Sequence, residues 1–269
     1  MTSESFKEFK QIIQGSKLEK RKIKRDWWHA IFTFISKYIT WILVKTRISA
    51  NFITISGSII GLLGLIFIGI GNNLFIIIGF ILLYVYYISD EVDGEVARYK
   101  KKTSLRGIYY DEIGHLFFQS WFFFTFGFSI FKINSEFLYI FFGIIATFFL
   151  IGIRRVRKIA TVASAKSSIN KNIEVEGELK EQKASKKSLM KLIKAIFINL
   201  TNAFSHTHMI TSIFFIGWLL YIYFTLFWIL EAIMIVYVIF MGGVFITFMV
   251  IKAKNIEKDV IKIHQSIVN

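Results

Sequence analysis

Long apolar runs separated by charged segments constrain this chain more than any other feature of its sequence. Six such runs lie near residues 53–70, 74–92, 108–131, 137–153, 209–224 and 226–251. An α-helix rises about 1.5 Å per residue, so about 20 apolar residues cross the hydrocarbon core of a bilayer. Apolar residues make up 55% of the chain, more than a soluble core of this length needs. The sequence therefore predicts an all-α integral membrane protein with six transmembrane helices.

The basic residues indicate how these helices are oriented. An even number of spans places residues 1–52, 93–107, 154–208 and 252–269 on one side, which holds 32 of the 33 Lys and Arg residues. Cytoplasmic loops carry such an excess, so both termini are expected in the cytoplasm, with the chain in the cytoplasmic or an equivalent inner membrane. The net charge of +15 is spread between the apolar runs, so membrane lipids are expected partners and nucleic acid is not.

The residues before the first span predict a helix of a different kind. Apolar side chains recur at helical spacing between residues 27 and 45, at Trp27, Trp28, Ile31, Phe32, Ile35, Ile39 and Ile42. This pattern favours an amphipathic helix lying in the cytoplasmic interface, and a short seventh crossing is the alternative. We expect a cytoplasmic tail with this helix over 1–52 and a transmembrane domain over 53–269. Segment 163–187 is expected to be a solvated loop, and a turn is expected near 223–230.

Acidic residues close to the ends of two predicted spans are the candidates for a catalytic or metal-binding role. Asp90 and Asp93 are three residues apart and share one helix face, whereas Asp111 and His115 are four apart and share a face of the next span. The short intervening loop lets the two faces meet at the cytoplasmic boundary of the membrane. Carboxylates gathered there repel each other unless a cation neutralises them, and oxygen-rich sites suit Mg²⁺ or Mn²⁺. These four residues therefore predict a divalent metal site.

Small and basic residues follow the acids on the same helix. Gly94 and Ala97 leave space for a ligand to approach the backbone, and Arg98 supplies a positive charge suited to phosphate. The alternative is that residues 90–106 form an ordinary charged loop between two helices.

The stretch from Asp90 to His115 resembles the signature of the CDP-alcohol phosphotransferase family (also named CDP-alcohol phosphatidyltransferase), DxxDGxxARx8Gx3Dx3D. Seven of the eight fixed positions match across 26 residues, and His115 stands in place of the final Asp. The family also shows Pro-Asn-x-Ile/Val-Thr before its first span, which is similar to Ala50-Asn51-Phe52-Ile53-Thr54 here. The resemblance implies six transmembrane helices, a preceding interfacial helix and an active site on the cytoplasmic side.

The resemblance also implies a reaction, in which a substituted phosphate passes from a CDP-alcohol to an acceptor hydroxyl in phospholipid biosynthesis and CMP is released. The donor it implies is CDP-diacylglycerol or an ether-lipid equivalent, and a CDP-linked headgroup is the alternative. The acceptor is a small polar or phosphorylated alcohol. Asp90, Asp93 and Asp111 correspond to metal ligands, and the nucleotide contacts correspond to Asn51, Thr54, Gly94, Ala97, Arg98 and Gly107. Helix capping is an alternative role for Asn51 and Thr54. A homodimer, which many relatives form, is left open.

His115 is where the chain departs from the signature. The family's fourth Asp binds a second metal ion or activates the acceptor hydroxyl, so the resemblance makes Asp111 and His115 the candidate catalytic residues. An imidazole can accept a proton or ligate Mn²⁺, but it lacks the charge of a carboxylate. Three interpretations stay open: a His base, an enzyme with a weakened metal site, and a non-catalytic membrane protein that retains the nucleotide and metal pocket. A transporter is disfavoured because the outer halves of the spans lack polar residues.

Other polar residues are given less specific interpretations. The basic cluster after the fourth span is expected to set topology and attract anionic lipid, with binding of a phosphorylated acceptor as the alternative; it comprises Arg154, Arg155, Arg157 and Lys158. His206 and His208 are two residues apart and are expected to be interfacial rather than metal ligands. Glu231 is expected near the outer boundary, away from the signature.

Overall fold

The structure is a computed structural model that describes residues 6, 8–13, 27–169 and 207–268, and no strand occurs in these ranges. Its helices are α1 (Trp27–Leu43), α2 (Ala50–Ile70), α3 (Asn73–Tyr99), α4 (Leu105–Asn134), α5 (Leu138–Ile169), α6 (Thr207–Phe224) and α7 (Trp228–Val268). A helix occupies each of the six predicted apolar ranges, so the all-α prediction is confirmed. The break between α6 and α7 falls at 225–227, inside the range predicted for a turn.

The lengths and surfaces of the helices are those of a membrane protein. Five of them, α2, α3, α4, α5 and α7, are long and apolar enough to cross a bilayer, and α6 is apolar but shorter. Large apolar side chains on these helices are exposed, such as Phe52 at 61% and Ile59 at 56% on α2. Surfaces of this kind are covered by lipid rather than water. The chain is therefore an integral membrane protein, whereas the six-span count and the side on which the termini lie stay predictions.

The structure corrects one sequence-based expectation. The solvated loop predicted for 163–187 is wrong at its start, because α5 continues as a helix to Ile169. The rest of that segment lies outside the described residues, as does His206.

Helix α1 forms where it was predicted and turns its polar side toward the protein. Thr33, Ser36 and Thr40 are buried, whereas Ile31 is 41% exposed and Ile42 is 64% exposed. Ile31 and Ile42 of the apolar stripe therefore face away from the helix bundle, whereas Phe32 of the same stripe is 5% exposed and packs in the core.

Glycines hold α2 and α3 close together. A Cβ atom added to Gly64 would lie 3.0 Å from the carbonyl oxygen of Gly79, and one added to Gly79 would lie 2.7 Å from the carbonyl oxygen of Gly64. Small residues allow this close approach of helix backbones in membranes. The tight α2–α3 pair brings Thr54, near the start of α2, beside Asp93, near the end of α3.

Two loops meet at the end of the bundle where α3 ends and α2 and α4 begin. Ser49 caps α2 by accepting a hydrogen bond from the Phe52 amide at 3.2 Å, and Ser104 caps α4 by accepting one from the Gly107 amide at 3.0 Å. Lys100 Nζ donates to carbonyl oxygens of the α1–α2 loop, at Thr46 (2.9 Å) and Ile48 (2.7 Å). These contacts fix the two helix N-termini at one end of the molecule.

Candidate active site

A cavity of about 360 Å³ lies at this end, between α2, α3 and α4. All ten predicted site residues line it: Asn51, Thr54, Asp90, Asp93, Gly94, Ala97, Arg98, Gly107, Asp111 and His115. Its wall also includes positions to which sequence analysis gave no role, namely Ala50, Glu91, Lys102, Thr103, Ser104 and Ile108. Several of these occupy variable positions inside the signature, which is why a motif match alone does not single them out. The volume lies within the range of small-molecule sites.

Three of the four predicted metal ligands converge in this cavity. His115 Nε2 lies 3.3 Å from Asp111 Oδ1 and 3.9 Å from Asp90 Oδ2, and one donor atom from each residue falls within 4.8 Å of the others. The side chains are partly buried, with 16% of Asp90, 44% of Asp111 and 33% of His115 exposed. Two carboxylates and an imidazole at this spacing fit a divalent cation, and a cation relieves the repulsion between the two carboxylates.

Asp93 lies on the same cavity wall but outside that group of three. It is 8% exposed, and Thr54 Oγ1 donates a hydrogen bond to its Oδ2 at 2.5 Å. The capping alternative for Thr54 does not hold, because Ser49 is the residue that caps α2. Thr54 instead orients a carboxylate of the signature.

Two glycines of the signature make room for polar side chains. A Cβ atom on Gly94 would lie 3.1 Å from Arg98 Nη1, so the missing side chain lets the guanidinium fold back along α3. A Cβ atom on Gly107 would lie 3.2 Å from Asn51 Oδ1, so this glycine allows Asn51 to approach the start of α4. Asn51 thus lies on the cavity wall as a neighbour of Gly107.

The basic cluster on α5 contacts protein groups beside His115. Arg154 Nη1 donates to the backbone carbonyl oxygen of His115, and Lys158 forms an ion pair with Glu112, which is exposed on α4. Arg155 is exposed. Two of the four cationic side chains therefore join α5 to α4 next to the metal-ligand group.

The remaining polar residues singled out from the sequence lie elsewhere. The His208 ring packs against the rings of Phe32 and Tyr87, with centroid distances of 5.1 Å and 4.6 Å. Glu231 accepts a hydrogen bond from the Tyr139 hydroxyl at 2.5 Å, close to the start of α7. Neither residue lines the cavity.

Glu95 is a buried carboxylate that sequence analysis passed over. It is 3% exposed and accepts hydrogen bonds from Ser36 Oγ at 3.2 Å and Thr40 Oγ1 at 2.7 Å, so it fastens α1 to α3 beside the signature. Ser36 and Thr40 are four residues apart and share a polar stripe of α1, which is the sequence signal that predicts a polar partner on another helix.

Comparison with known proteins identifies the family of this chain. Residues 47–240 match the family model of the CDP-alcohol phosphatidyltransferases, a range that includes every residue lining the cavity. A search of curated proteins gave no match. The family consists of membrane enzymes that are generally dependent on a divalent metal. The match covers most of the chain, and the chain belongs to the CDP-alcohol phosphatidyltransferase family.

Proposed function

We propose that this chain transfers a phosphatidyl-type group from CDP-diacylglycerol, or a related CDP-linked lipid, to the hydroxyl of a small polar or phosphorylated alcohol. The family implies transfer of a phosphatidyl group from a CDP-alcohol in lipid synthesis. The observation that carries the proposal is the group formed by Asp90, Asp111 and His115 in a cavity at the end of lipid-exposed helices. The polar and charged lining of the cavity suits a diphosphate headgroup, and the exposed apolar side chains of the helices suit acyl chains.

The acidic residues are proposed to hold Mg²⁺ or Mn²⁺. Asp90, Asp93 and Asp111 would supply oxygen ligands, and the bound metal would neutralise the diphosphate and the departing CMP. His115 is a further candidate ligand, and its imidazole nitrogen suits Mn²⁺ better than Mg²⁺.

The remaining cavity residues are proposed to bind the nucleotide. Helices α2 and α4 both begin at the cavity, so their N-terminal dipoles favour a negatively charged diphosphate there. Arg98 adds a full positive charge on the same wall. Gly94, Ala97 and Gly107 have at most a methyl side chain, so the nucleotide can approach the backbone of the cavity wall closely. Asn51 and Thr54 supply polar groups on α2.

The proposed chemistry is in-line substitution at the phosphorus that carries the lipid. The acceptor oxygen forms a bond to this phosphorus, the bond to the bridging oxygen breaks, and CMP leaves with the bonding electrons. When His115 acts as the base and not as a metal ligand, the acceptor proton passes to its Nε2. The Asp111 carboxylate, 3.3 Å from the same nitrogen, stabilises the imidazolium that forms. Asp111 is the second candidate for the base.

We place this site on the cytoplasmic side of the membrane. The proposal is supported by the side that holds 32 of the 33 Lys and Arg residues, which includes the loop between α3 and α4 at the cavity.

The test is release of CMP by purified protein in lipid vesicles supplied with CDP-diacylglycerol, Mg²⁺ or Mn²⁺, and a panel of hydroxyl acceptors. Asp93→Asn and His115→Ala are compared with Glu231→Gln, which also changes a polar residue but lies away from the cavity. Acceptor-dependent release that needs metal, is lost in both site variants and persists in Glu231→Gln is the expected result.

The same preparation distinguishes the non-catalytic alternative. Metal-dependent nucleotide binding without CMP release from any donor and acceptor pair would contradict the enzymatic proposal and favour a membrane protein that keeps the pocket in another role.

A further inference from the structure

A short helical segment near the N-terminus docks beside the cavity. Residues 8–13 are helical, and Phe9 and Ile13 are 0% and 1% exposed. Sequence analysis assigned this region only to a cytoplasmic tail. Phe6, Phe9 and Ile13 recur at helical spacing, which is the signal that predicts one buried face.

Aromatic contacts anchor this segment to the ends of two helices. The Phe9 ring lies 4.9 Å from the Trp41 ring on α1 and 5.5 Å from the Tyr99 ring on α3, measured between centroids. The Phe6 ring contacts the rings of Tyr38 and Trp41, both at 5.4 Å. Phe9 therefore joins α1 to the part of α3 that follows Arg98.

The docked segment binds a residue of the family signature. Arg98 Nε donates a hydrogen bond to the backbone carbonyl oxygen of Ile13 at 3.0 Å. The same guanidinium lies over Gly94, where a Cβ atom would come within 3.1 Å of Nη1. Arg98 is thus held at its Nε by Ile13, while its Nη1 lies beside Gly94, and both Arg98 and Gly94 line the cavity.

We propose that the N-terminal segment 8–13 is a positioning element of the active site, which holds the Arg98 guanidinium in the orientation that binds the diphosphate of the nucleotide. This inference rests on the proposed function, since it assigns Arg98 to a CDP-linked substrate. Phe9 and Ile13 act through Arg98 and do not line the cavity themselves.

The physical reason is preorganisation. An arginine side chain loses considerable rotamer freedom when it is fixed against a ligand, and a hydrogen bond already made in the unbound protein removes much of that cost from binding. The oxygen that accepts the hydrogen bond from Arg98 is a backbone carbonyl oxygen, so no replacement of the Ile13 side chain removes it. Removal of the Phe9 ring is the direct way to displace the segment.

The experiment measures CDP binding in the presence of Mn²⁺ by isothermal titration of the full chain in lipid nanodiscs. Phe9→Ala is expected to weaken CDP binding roughly tenfold, which corresponds to the loss of one charge-assisted hydrogen bond between Arg98 and the diphosphate. The affinity for Mn²⁺ is expected to stay unchanged. Phe9→Leu is expected to restore part of the affinity because it refills the apolar site. Ile12→Ala is the matched control, since Ile12 lies on the same segment and is 40% exposed.

A double-mutant cycle with Arg98→Ala tests whether the segment acts through Arg98. Phe9→Ala is expected to have no further effect on CDP affinity when Arg98 is absent. Equal CDP affinity for the unchanged protein and Phe9→Ala would overturn the inference alone, and so would a tenfold loss that persists in the Arg98→Ala background. Failure of the unchanged protein to bind CDP with Mn²⁺ would overturn the proposed function and this inference with it.

Discussion

Replacing His115 with Asp completes the family signature and adds one negative charge to the candidate metal site. His115 Nε2 lies 3.9 Å from Asp90 Oδ2 and 3.3 Å from Asp111 Oδ1, so the new carboxylate would join two others at close range. Two like charges about 4 Å apart repel by about 4 kcal/mol at an effective dielectric constant of about 20. The shorter Asp side chain increases the separation, and we expect the metal-free variant to lose about 2–4 kcal/mol of stability.

A bound divalent cation reverses the sign of this effect. The added carboxylate then attracts the metal, and we expect the dissociation constant for Mg²⁺ to fall about 100-fold, equivalent to about 2.8 kcal/mol. The gain for Mn²⁺ is expected to be smaller, because the imidazole that is lost suits Mn²⁺ better than Mg²⁺.

Thermal unfolding in lipid nanodiscs measures both effects, with fluorescence of the six Trp residues as the signal. The melting temperature is compared in EDTA and across titrations of Mg²⁺ and Mn²⁺. Asn72→Asp is the matched control, because it adds the same charge at an exposed residue at the other end of α3 and keeps the oxygen that accepts from the Leu74 amide at 3.0 Å. We expect the control to resemble the unchanged protein in both conditions.

The result that refutes this reasoning is specific. If His115→Asp has the same melting temperature as the unchanged protein in EDTA and gains no affinity for Mg²⁺, then Asp90, Asp111 and residue 115 do not share a cation.

Three further changes test the packing that positions the site. Gly79→Ala is expected to cost about 1–3 kcal/mol in thermal unfolding, because its Cβ would lie 2.7 Å from a carbonyl oxygen of α2, whereas Gly69→Ala meets nothing within 4 Å and is expected to be neutral or stabilising; equal effects would contradict the close helix contact. Thr54→Val removes the 2.5 Å hydrogen bond to Asp93 and is expected to slow CMP release roughly tenfold with little change in melting temperature, so an unchanged rate would count against a role for Thr54 in orienting that carboxylate. Glu95→Ala leaves the buried Thr40 hydroxyl without its acceptor, whereas the Ser36 hydroxyl keeps a backbone carbonyl oxygen at 3.3 Å, and the change is expected to lower stability by about 2–3 kcal/mol. Glu95→Gln keeps an acceptor oxygen and is expected to lose less; the interpretation is wrong if the two variants melt alike.

Local sequence patterns were sufficient to predict where the helices lie and which candidate ligand residues come together. The apolar runs predicted the positions of all six long or apolar helices after α1, because the length needed to cross a bilayer is written in consecutive residues. The spacing of Asp90, Asp93, Asp111 and His115 placed them on two helix faces joined by a short loop, and the structure brings all four to one cavity. The end of α5 was not predicted, since its polar last turns carry no apolar periodicity.

Contacts between distant parts of the chain could not be predicted from the sequence. Arg98 and Ile13 are 85 residues apart, and Thr40 and Glu95 are 55 apart, so neither pair follows from a local pattern. The sequence by itself determined which segments are helical, where the charges collect and which residues match the family signature. Only the tertiary structure decided that an N-terminal segment holds Arg98 and that the polar side of α1 binds Glu95. The reason is physical: periodicity and composition act over a few helical turns, whereas these contacts depend on how separate helices pack.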